Sequence, residues 1–392
     1  MFFMLYLSII ALFFVKLRKK FKSQKLIHET MEKNELTDKE KLVLYGLVYY
    51  PETTDKILSE KLNLKHSTVT SIRHRLKENE YQRKIIIPKL QSMGCEMLAV
   101  IYTNFSPLIP LSERVEITGK TIEVFEEIFF SVGEQDKGFS VSLSKDYTTI
   151  GKINDIRTQT FGGRGLLEEE YPNMIVFPFE ISKIYRFFDF APMLRKRFEL
   201  NLELDSETES IDFKSIENTV FSDTEKNVYC MLVSNPDLSD SSIGRELGVS
   251  RHTISRLRRK FEKNDLMKKL VIPNFVKLGF EILAFYHIRF NPRNPPNMEE
   301  DNAALLMSES TIFLASRRFE AVMLSIYSDY EDYKLDRTKV VQILKENSWV
   351  AKDPVIRSYG LRTTSFIKDF KFAPIASKIV GCDFWVKKLL NI

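Results

Sequence analysis

The sequence predicts an α+β protein in which two winged helix-turn-helix domains alternate with two ferredoxin-like βαββαβ domains, as a tandem internal repeat. Three observations lead to this class. Shifting the chain by 185 positions aligns residues 36–107 with 221–292 without a gap, and 21 of the 72 aligned pairs are identical. Each half opens with the signals of three short helices and a basic strand. In each half the apolar period then becomes that of strands, in the order βαββαβ.

Length and composition bound the class of protein. A chain of 392 residues with 44% apolar and 28% charged residues can bury several cores and does not have a disordered composition. The formal charge of +5 is small for this length, so a nucleic-acid surface has to come from local clusters of Lys and Arg. Cys95, Cys230 and Cys382 lie far apart without metal-ligand spacing, which predicts buried reduced thiols and fits a cytoplasmic protein.

The repeat and the charge pattern set the expected domain boundaries. Residues 199–217 carry seven acidic residues and one Lys, which is typical of a solvated linker. The expected segments are an apolar N-terminal segment with a basic flank (1–30), winged helix-turn-helix 1 (31–93), ferredoxin-like domain 1 (94–198), the acidic linker (199–217), winged helix-turn-helix 2 (218–278), and ferredoxin-like domain 2 with the C-terminal tail (279–392).

The N-terminal segment allows two interpretations. The first 15 residues, MFFMLYLSIIALFFV, are apolar apart from Tyr6 and Ser8, and six basic residues follow between Lys16 and Lys25. One interpretation is a short membrane anchor with the remainder of the chain in the cytoplasm, as the basic flank indicates. The other is an upstream extension of the reading frame, with the working protein starting at Met31. About 20 residues are needed to span a bilayer, so the segment is short for an anchor.

Each half begins with the sequence of a helical capping box. Thr37 is followed three residues later by Glu40, and Ser222 is followed in the same way by Glu225. A helix of about a dozen residues, a second short helix and a tight turn are expected in each half. In the second half Gly248 suits that turn, because glycine adopts positive φ without steric cost.

The third helix of each half has an apolar inner face and a polar outer face, and the outer face supplies the candidate DNA-binding residues. The inner residues recur at spacings of three and four, as in Ile254, Leu257 and Phe261. The candidate DNA-binding residues are Ser67, Thr68, Thr70, Ser71, His74 and Arg75 in the first half, and Arg251, His252, Thr253, Ser255, Arg256, Arg259 and Lys260 in the second.

The charge on these helices favours DNA over a merely solvated face. Residues 251–263 contain six basic residues against the single acid Glu262, and phosphate binding requires such a local cluster. The first half is less basic. The following runs RKIIIP and KKLVIP read as wing strands that begin with basic pairs, Arg83 with Lys84 and Lys268 with Lys269.

Motifs for catalysis and metal binding are weak. TGKT at 118–121 resembles a phosphate-binding loop, but Arg114 stands where that loop requires glycine. FGGRG at 161–165 is better explained as a flexible loop between a helix and a strand. The five His show no metal spacing. The sequence therefore predicts no metal site, no cofactor and no enzymatic activity.

The order of a winged helix, the run KLVIPNFVKLGFEILA and a βαββαβ unit resembles the Lrp/AsnC family of prokaryotic regulators, over nearly all of both halves. The resemblance implies binding to double-stranded DNA, dimerisation through the ferredoxin-like units and a small-molecule effector whose identity and pocket are unknown. This chain departs from the family in being a tandem fusion. We therefore expect a sequence-specific transcriptional regulator in which the two halves pack as an intrachain pseudo-dimer, with further self-assembly left open.

The sequence leaves two alternative functions. Siroheme decarboxylases resemble Lrp-type proteins and also occur as fused halves, but they carry a His-Asn-Tyr type sequence at the second strand, where this chain has FFSVGEQ and FLASRRF. A winged-helix module that binds protein is the other alternative, and Arg256 and Arg259 argue against it. The operator sequence and the direction of regulation cannot be read from the sequence.

Overall fold

The computed structural model describes residues 36–168, 171–201, 219–297 and 300–382. The predicted N-terminal segment of residues 1–30 and residues 202–217 of the predicted linker lie outside these ranges. No helix within them is both long enough and apolar enough to cross a membrane.

The first half follows the predicted order of elements. Its elements are α1 (Asp38–Tyr49), α2 (Asp55–Lys61), α3 (His66–Glu78), β1 (Gln82–Pro88), β2 (Met97–Asn104), α4 (Leu111–Glu123), β3 (Ile128–Gly133), β4 (Lys137–Ser144), α5 (Tyr147–Gly162), β5 (Asn173–Pro178), β6 (Ser182–Phe187) and α6 (Ala191–Arg197). A 3-10 turn at Leu90–Met93 joins β1 to β2.

The second half repeats this order. Its elements are α7 (Asp223–Ser234), α8 (Asp240–Leu247), α9 (Arg251–Lys263), β7 (Met267–Pro273), β8 (Ile282–Arg289), α10 (Glu300–Leu306), β9 (Thr311–Arg317), β10 (Glu320–Tyr327), α11 (Tyr330–Glu346), β11 (Val355–Gly360), β12 (Ser365–Lys368) and α12 (Ala373–Val380). Both predicted capping boxes form, since Glu40 reaches the Thr37 backbone N–H at 2.9 Å and Glu225 reaches that of Ser222 at the same distance.

The two basic strands that follow the helix-turn-helix units pair with each other. β1 and β7 form a two-stranded antiparallel ribbon in which Lys84 lies opposite Val271 and Ile86 lies opposite Lys269. Each strand thus pairs along one edge with the strand of the other half. The ribbon joins the two helix-turn-helix units.

Two five-stranded antiparallel sheets follow the ferredoxin-like order, and each receives a strand from the other half. The first sheet has the order β12-β3-β4-β2-β5, and the second has the order β11-β8-β10-β9-β6. Four contiguous strands of each sheet, β3-β4-β2-β5 and β11-β8-β10-β9, are the βαββαβ strands of one half, and the strand from the other half lies at one edge. β6 of the first half pairs with β9, and β12 of the second half pairs with β3. The predicted α+β class is confirmed, and the sequence reading missed this exchange of strands.

The two sheets pack against each other through an aromatic layer. Phe285 of β8 has its ring centre 5.2 Å from that of Tyr102 and 5.1 Å from that of Phe139. At the crossing of the exchanged segments, Phe188 and Phe370 meet at 4.7 Å. Helices cover the opposite faces of the sheets, α4 and α5 on the first and α10 and α11 on the second. This buried aromatic layer joins the two halves of the chain.

Candidate nucleic-acid interface

The third helix of the second half, α9, is fixed in place by its turn and by its inner face. Gly248 adopts φ +67° in the turn, and a Cβ on Gly244 of α8 would lie 2.6 Å from the Val249 carbonyl oxygen, so the turn and the helix before it both favour glycine. Ser250 caps α9 by accepting a hydrogen bond from the Thr253 N–H at 3.1 Å. Ile254, Leu257 and Phe261 are buried as predicted. The opposite face of α9 is therefore turned outward.

That outer face carries three arginines that the protein itself does not neutralise. Arg251, Arg256 and Arg259 are exposed, and their side chains form no hydrogen bond or ion pair with any described residue. Guanidinium groups held in this way on one helix face can bind phosphate or the edges of bases in the major groove. His252 is also exposed, whereas Ser255 is half-buried.

Other polar residues of α9 have partners within the protein. Arg258 donates two hydrogen bonds to Asp240 Oδ1, at 2.9 Å and 2.7 Å. Lys260 donates to Glu225 Oε1 at 2.5 Å and thereby, as the largest cause, lowers the pKa of that carboxyl. The hydroxyl of Thr253 lies 2.9 Å from that of Ser250. The charge on α9 that is available to a ligand is thus that of the three free arginines and of the exposed Lys263 in the last turn.

The equivalent helix α3 in the first half offers a weaker surface. Ser67, Ser71, His74 and Arg75 are exposed, and Thr68 is half-buried. His74 lies 3.0 Å from Glu78, so an acid of the same helix faces its ring. The helix is less basic than α9, as the sequence indicates.

A second part of α3 is tied to neighbouring elements. The exposed Thr70 donates to Asp55 at 2.8 Å, and Arg73 pairs with the other oxygen of Asp55 at 2.7 Å. Lys77 pairs with Asp237 of the second half at 3.1 Å. The helix-turn-helix units are therefore also linked by charge.

The basic residues of the ribbon lie beside acids or are half-buried. Arg83 pairs with Asp369 at 2.5 Å, and Lys269 pairs with Glu262 of α9 at 2.7 Å. Lys84 is half-buried, and burial is the largest cause that lowers the pKa of its ammonium group. Lys268 is half-buried as well. These four residues thus present less free charge than α9 does.

An ion pair that the sequence did not predict joins the second and third helices of each half. Asp55 pairs with Arg73 and Asp240 pairs with Arg258. Both members of each pair are identical across the repeat, which is the signal that could have revealed them. The sequence reading also missed Arg114 and Arg157, which are almost fully buried beneath the first sheet.

Comparison with known proteins finds similar solved structures but no matching family. No family model matches the chain, and no curated protein matches it. Siroheme decarboxylase NirDL is similar in structure with 10% identity over 88% of this chain and 99% of its own, at a TM-score of 0.47. A transcriptional regulatory protein of the AsnC family from Pyrococcus furiosus is similar with 19% identity over 37% of this chain and 89% of its own, at a TM-score of 0.29. The leucine response regulatory protein of Mycobacterium tuberculosis is similar with 16% identity over 36% of this chain and 92% of its own, at a TM-score of 0.28.

The prediction that the chain is not an enzyme is corrected by these comparisons. The solved structures that match over 88% and 86% of the chain are both of siroheme decarboxylase, an enzyme. Among the described strands His287 of β8 is the only histidine, and its Nδ1 lies 3.1 Å from the Tyr102 hydroxyl. At 10% identity and a TM-score of 0.47 the likeness assigns no reaction to this chain. The chain is similar in fold to Lrp/AsnC regulators over about a third of its length and to the decarboxylase over most of it.

Proposed function

We propose that this protein binds double-stranded DNA in a sequence-specific manner and regulates transcription in the cytoplasm, with α9 as the principal recognition helix. The observation that carries the proposal is the outer face of α9, where Arg251, Arg256 and Arg259 are exposed and free of partners among the described residues. Free arginines on the third helix of a helix-turn-helix unit are placed to enter a major groove.

The proposal rests on the contrast between free and paired cations. Keeping three guanidinium groups close together on one face costs electrostatic repulsion, which a bound polyanion relieves. Arg258 shows what a structural arginine looks like in the same helix, because its partner Asp240 holds it with two hydrogen bonds. The free arginines have no such role in the described fold.

The two recognition helices contribute unequally in this proposal. α3 presents Ser71 and His74 at the positions where α9 presents Arg256 and Arg259. We expect the second half to supply most of the phosphate contacts and the first half to add contacts from hydroxyl and imidazole groups. The expected DNA site therefore consists of two unlike halves.

A salt titration tests the proposal. DNA fragments retained from a genomic library by the purified full-length chain are bound at increasing salt, and the slope of log affinity against log salt counts the phosphate contacts. Replacing Arg256 and Arg259 by Ala should reduce that slope by about 2 if both contact phosphates. Arg289→Ala, which removes an exposed arginine at the end of β8, is the matched control and should leave the slope unchanged. Retention of no fragment, or a slope near zero, would overturn the proposal.

A further inference from the structure

Two arginines lie buried between the first sheet and the helices that cover it. Arg114 of α4 is 1% exposed and Arg157 of α5 is 2% exposed. All three guanidinium nitrogens of Arg114 are buried and have no hydrogen-bond partner among the described residues. Its guanidinium carbon lies 4.5 Å from the centre of the Phe105 ring. Arg157 donates one hydrogen bond to the Ser140 hydroxyl at 2.7 Å, and its Nε has no partner in the described part of the chain.

No acid of the described structure forms a hydrogen bond or an ion pair with either guanidinium group. The charges of Asp136 and Glu134 favour the charged form of Arg114, but both carboxylates have contacts with other residues. Glu134 accepts hydrogen bonds from the Gly360 N–H at 2.6 Å and from the Thr363 hydroxyl at 3.0 Å, and Asp136 lies 3.8 Å from Lys137. Burial lowers the pKa of Arg114 and of Arg157 to about 10, so both groups still carry their charge at neutral pH.

Buried cations without counter-charges are unfavourable, and buried donors almost always have acceptors. The hydroxyls of Thr103 and Ser142 lie on the same face of the sheet and also have no hydrogen-bond partner among the residues that the structure describes. Ser142 lies opposite Ala99, which faces the helices, and Thr103 follows Ala99 at an interval that keeps it on that face. The inner side of α4 and α5 thus presents positive charge and hydroxyl groups together.

The second half shows that the fold does not require a buried arginine at the position of Arg157. Val340 stands eleven residues after the capping Asp329, as Arg157 stands eleven residues after the capping Asp146. By strand register, Met323 takes the place of Ser140, and both Met323 and Val340 belong to an apolar core. The first half therefore has Arg157 and Ser140 where the repeat packs with apolar side chains.

We propose that Arg114 forms an anion-binding site beneath the first sheet, which takes a small carboxylate or inorganic oxyanion. The planar guanidinium group matches a carboxylate or an oxyanion through paired hydrogen bonds. Arg114 would hold the anion through its three unpartnered nitrogens, and Arg157, buried in the same layer, would add positive charge.

Anomalous diffraction locates an anion in this site directly. Crystals of the full chain grown in sodium bromide should show a bromide peak beside the Arg114 guanidinium. Crystals of Arg114→Met should lack that peak while keeping any peaks at the surface. Density for water alone beside Arg114 in the wild-type crystals would overturn the proposal.

Thermal unfolding provides a test that needs no crystals. In HEPES buffer at constant ionic strength, sodium formate should raise the Tm of the wild-type chain saturably, by about 2 °C or more. Arg114→Met should not respond, because it removes the donors that hold the anion, and Arg157→Met should respond less, because it removes a positive charge from the same layer. Arg114→Lys keeps the charge without the planar donor group and should respond weakly, which preserves the test if Arg114→Met does not fold.

An exposed arginine in the same region separates the site from general salt effects. Arg164→Met removes an exposed charge just after α5 and should leave the formate response unchanged. An equal response of the wild type, Arg114→Met and Arg164→Met would show that formate acts on the surface, and would overturn the proposal.

Discussion

Residues at equivalent positions of the two halves are identical in some contacts and different in others. Asp55 with Arg73 and Asp240 with Arg258 are the same pair in both halves, and each fixes a recognition helix. By contrast, Tyr102 of the first half meets the equivalent His287 of the second half at 3.1 Å across the sheets. Two identical chains would place the same residue on both sides of such a contact. Fusion of the halves allowed the two sides to diverge.

The first residue-scale prediction ranks the recognition helices. Replacing Arg256 and Arg259 by Ala should weaken DNA binding at least tenfold more than replacing Ser71 and His74 by Ala, because each lost base contact of an arginine costs about 1–3 kcal/mol. Fluorescence anisotropy with a retained genomic fragment measures both double variants. Equal losses of affinity would refute the ranking.

The second residue-scale prediction concerns acid stability. His287, whose Nε2 lies 3.6 Å from Glu320, and Arg317, which donates to Glu320 at 2.5 Å, lower the pKa of the Glu320 carboxyl to about 2 from its ordinary 4.5. A pKa that is lower in the folded state stabilises the fold above the unfolded value, and this contribution disappears as the pH falls from about 4.5 to 2. Urea unfolding of Glu320→Gln should therefore show a smaller loss of stability over that range than the wild type. A parallel loss in both proteins would contradict the assignment.

At the scale of elements, the sequence predicted each unit but not how strands are shared. Apolar spacing, capping boxes and the turn at Gly248 are local signals, and the helices they predicted are present. Pairing of β1 with β7, and of β6 and β12 with the opposite sheets, depends on contacts between residues far apart in the chain. The repeated FDFAP and FKFAP segments follow the exchanged strands. The repeat was therefore visible in the sequence, but the sheet to which each strand belongs was not.

The buried arginines escaped prediction for a related reason. Helical periodicity places Arg157 on the inner face of α5 only after the helix is known to cover the sheet. A charged residue within an amphipathic pattern is usually assigned to the solvent. The layer that encloses it forms from strands and helices of the whole first ferredoxin-like unit.

The element-scale prediction tests the exchange of strands. Phe370 is 5% exposed, follows β12 and packs against Phe130 and Phe188 with ring centres 4.7 Å away in both cases. Phe370→Ala should cost about 3–5 kcal/mol of unfolding free energy, because it leaves a cavity where the two halves cross. Phe319→Ala is the control, since Phe319 is 43% exposed and its loss should cost about 0.5 kcal/mol or less. Equal destabilisation by the two variants in urea unfolding would contradict the role given to Phe370.

At the scale of the whole molecule, the repeat acts as a dimer built into one chain. The ribbon of β1 and β7, the exchanged strands and the aromatic layer between the sheets all join one half to the other. Pairing within one chain does not depend on protein concentration. If α3 and α9 bind DNA as proposed, their different outer faces should recognise different sequences, whereas two identical chains related by a two-fold axis recognise identical half-sites.

We propose that one chain binds a DNA site with two unlike halves. A hydroxyl-radical footprint at a known ratio of protein to DNA tests this proposal most directly. The full-length chain is bound at one chain per duplex to a fragment that it retains, with the ratio verified by light scattering. We expect protection of two half-sites of different sequence, spaced by about one helical turn or a multiple of it, with the protection opposite α9 lost first in the Arg256→Ala and Arg259→Ala double variant. A palindromic footprint that requires two chains, each bound through α9 alone, would contradict the account.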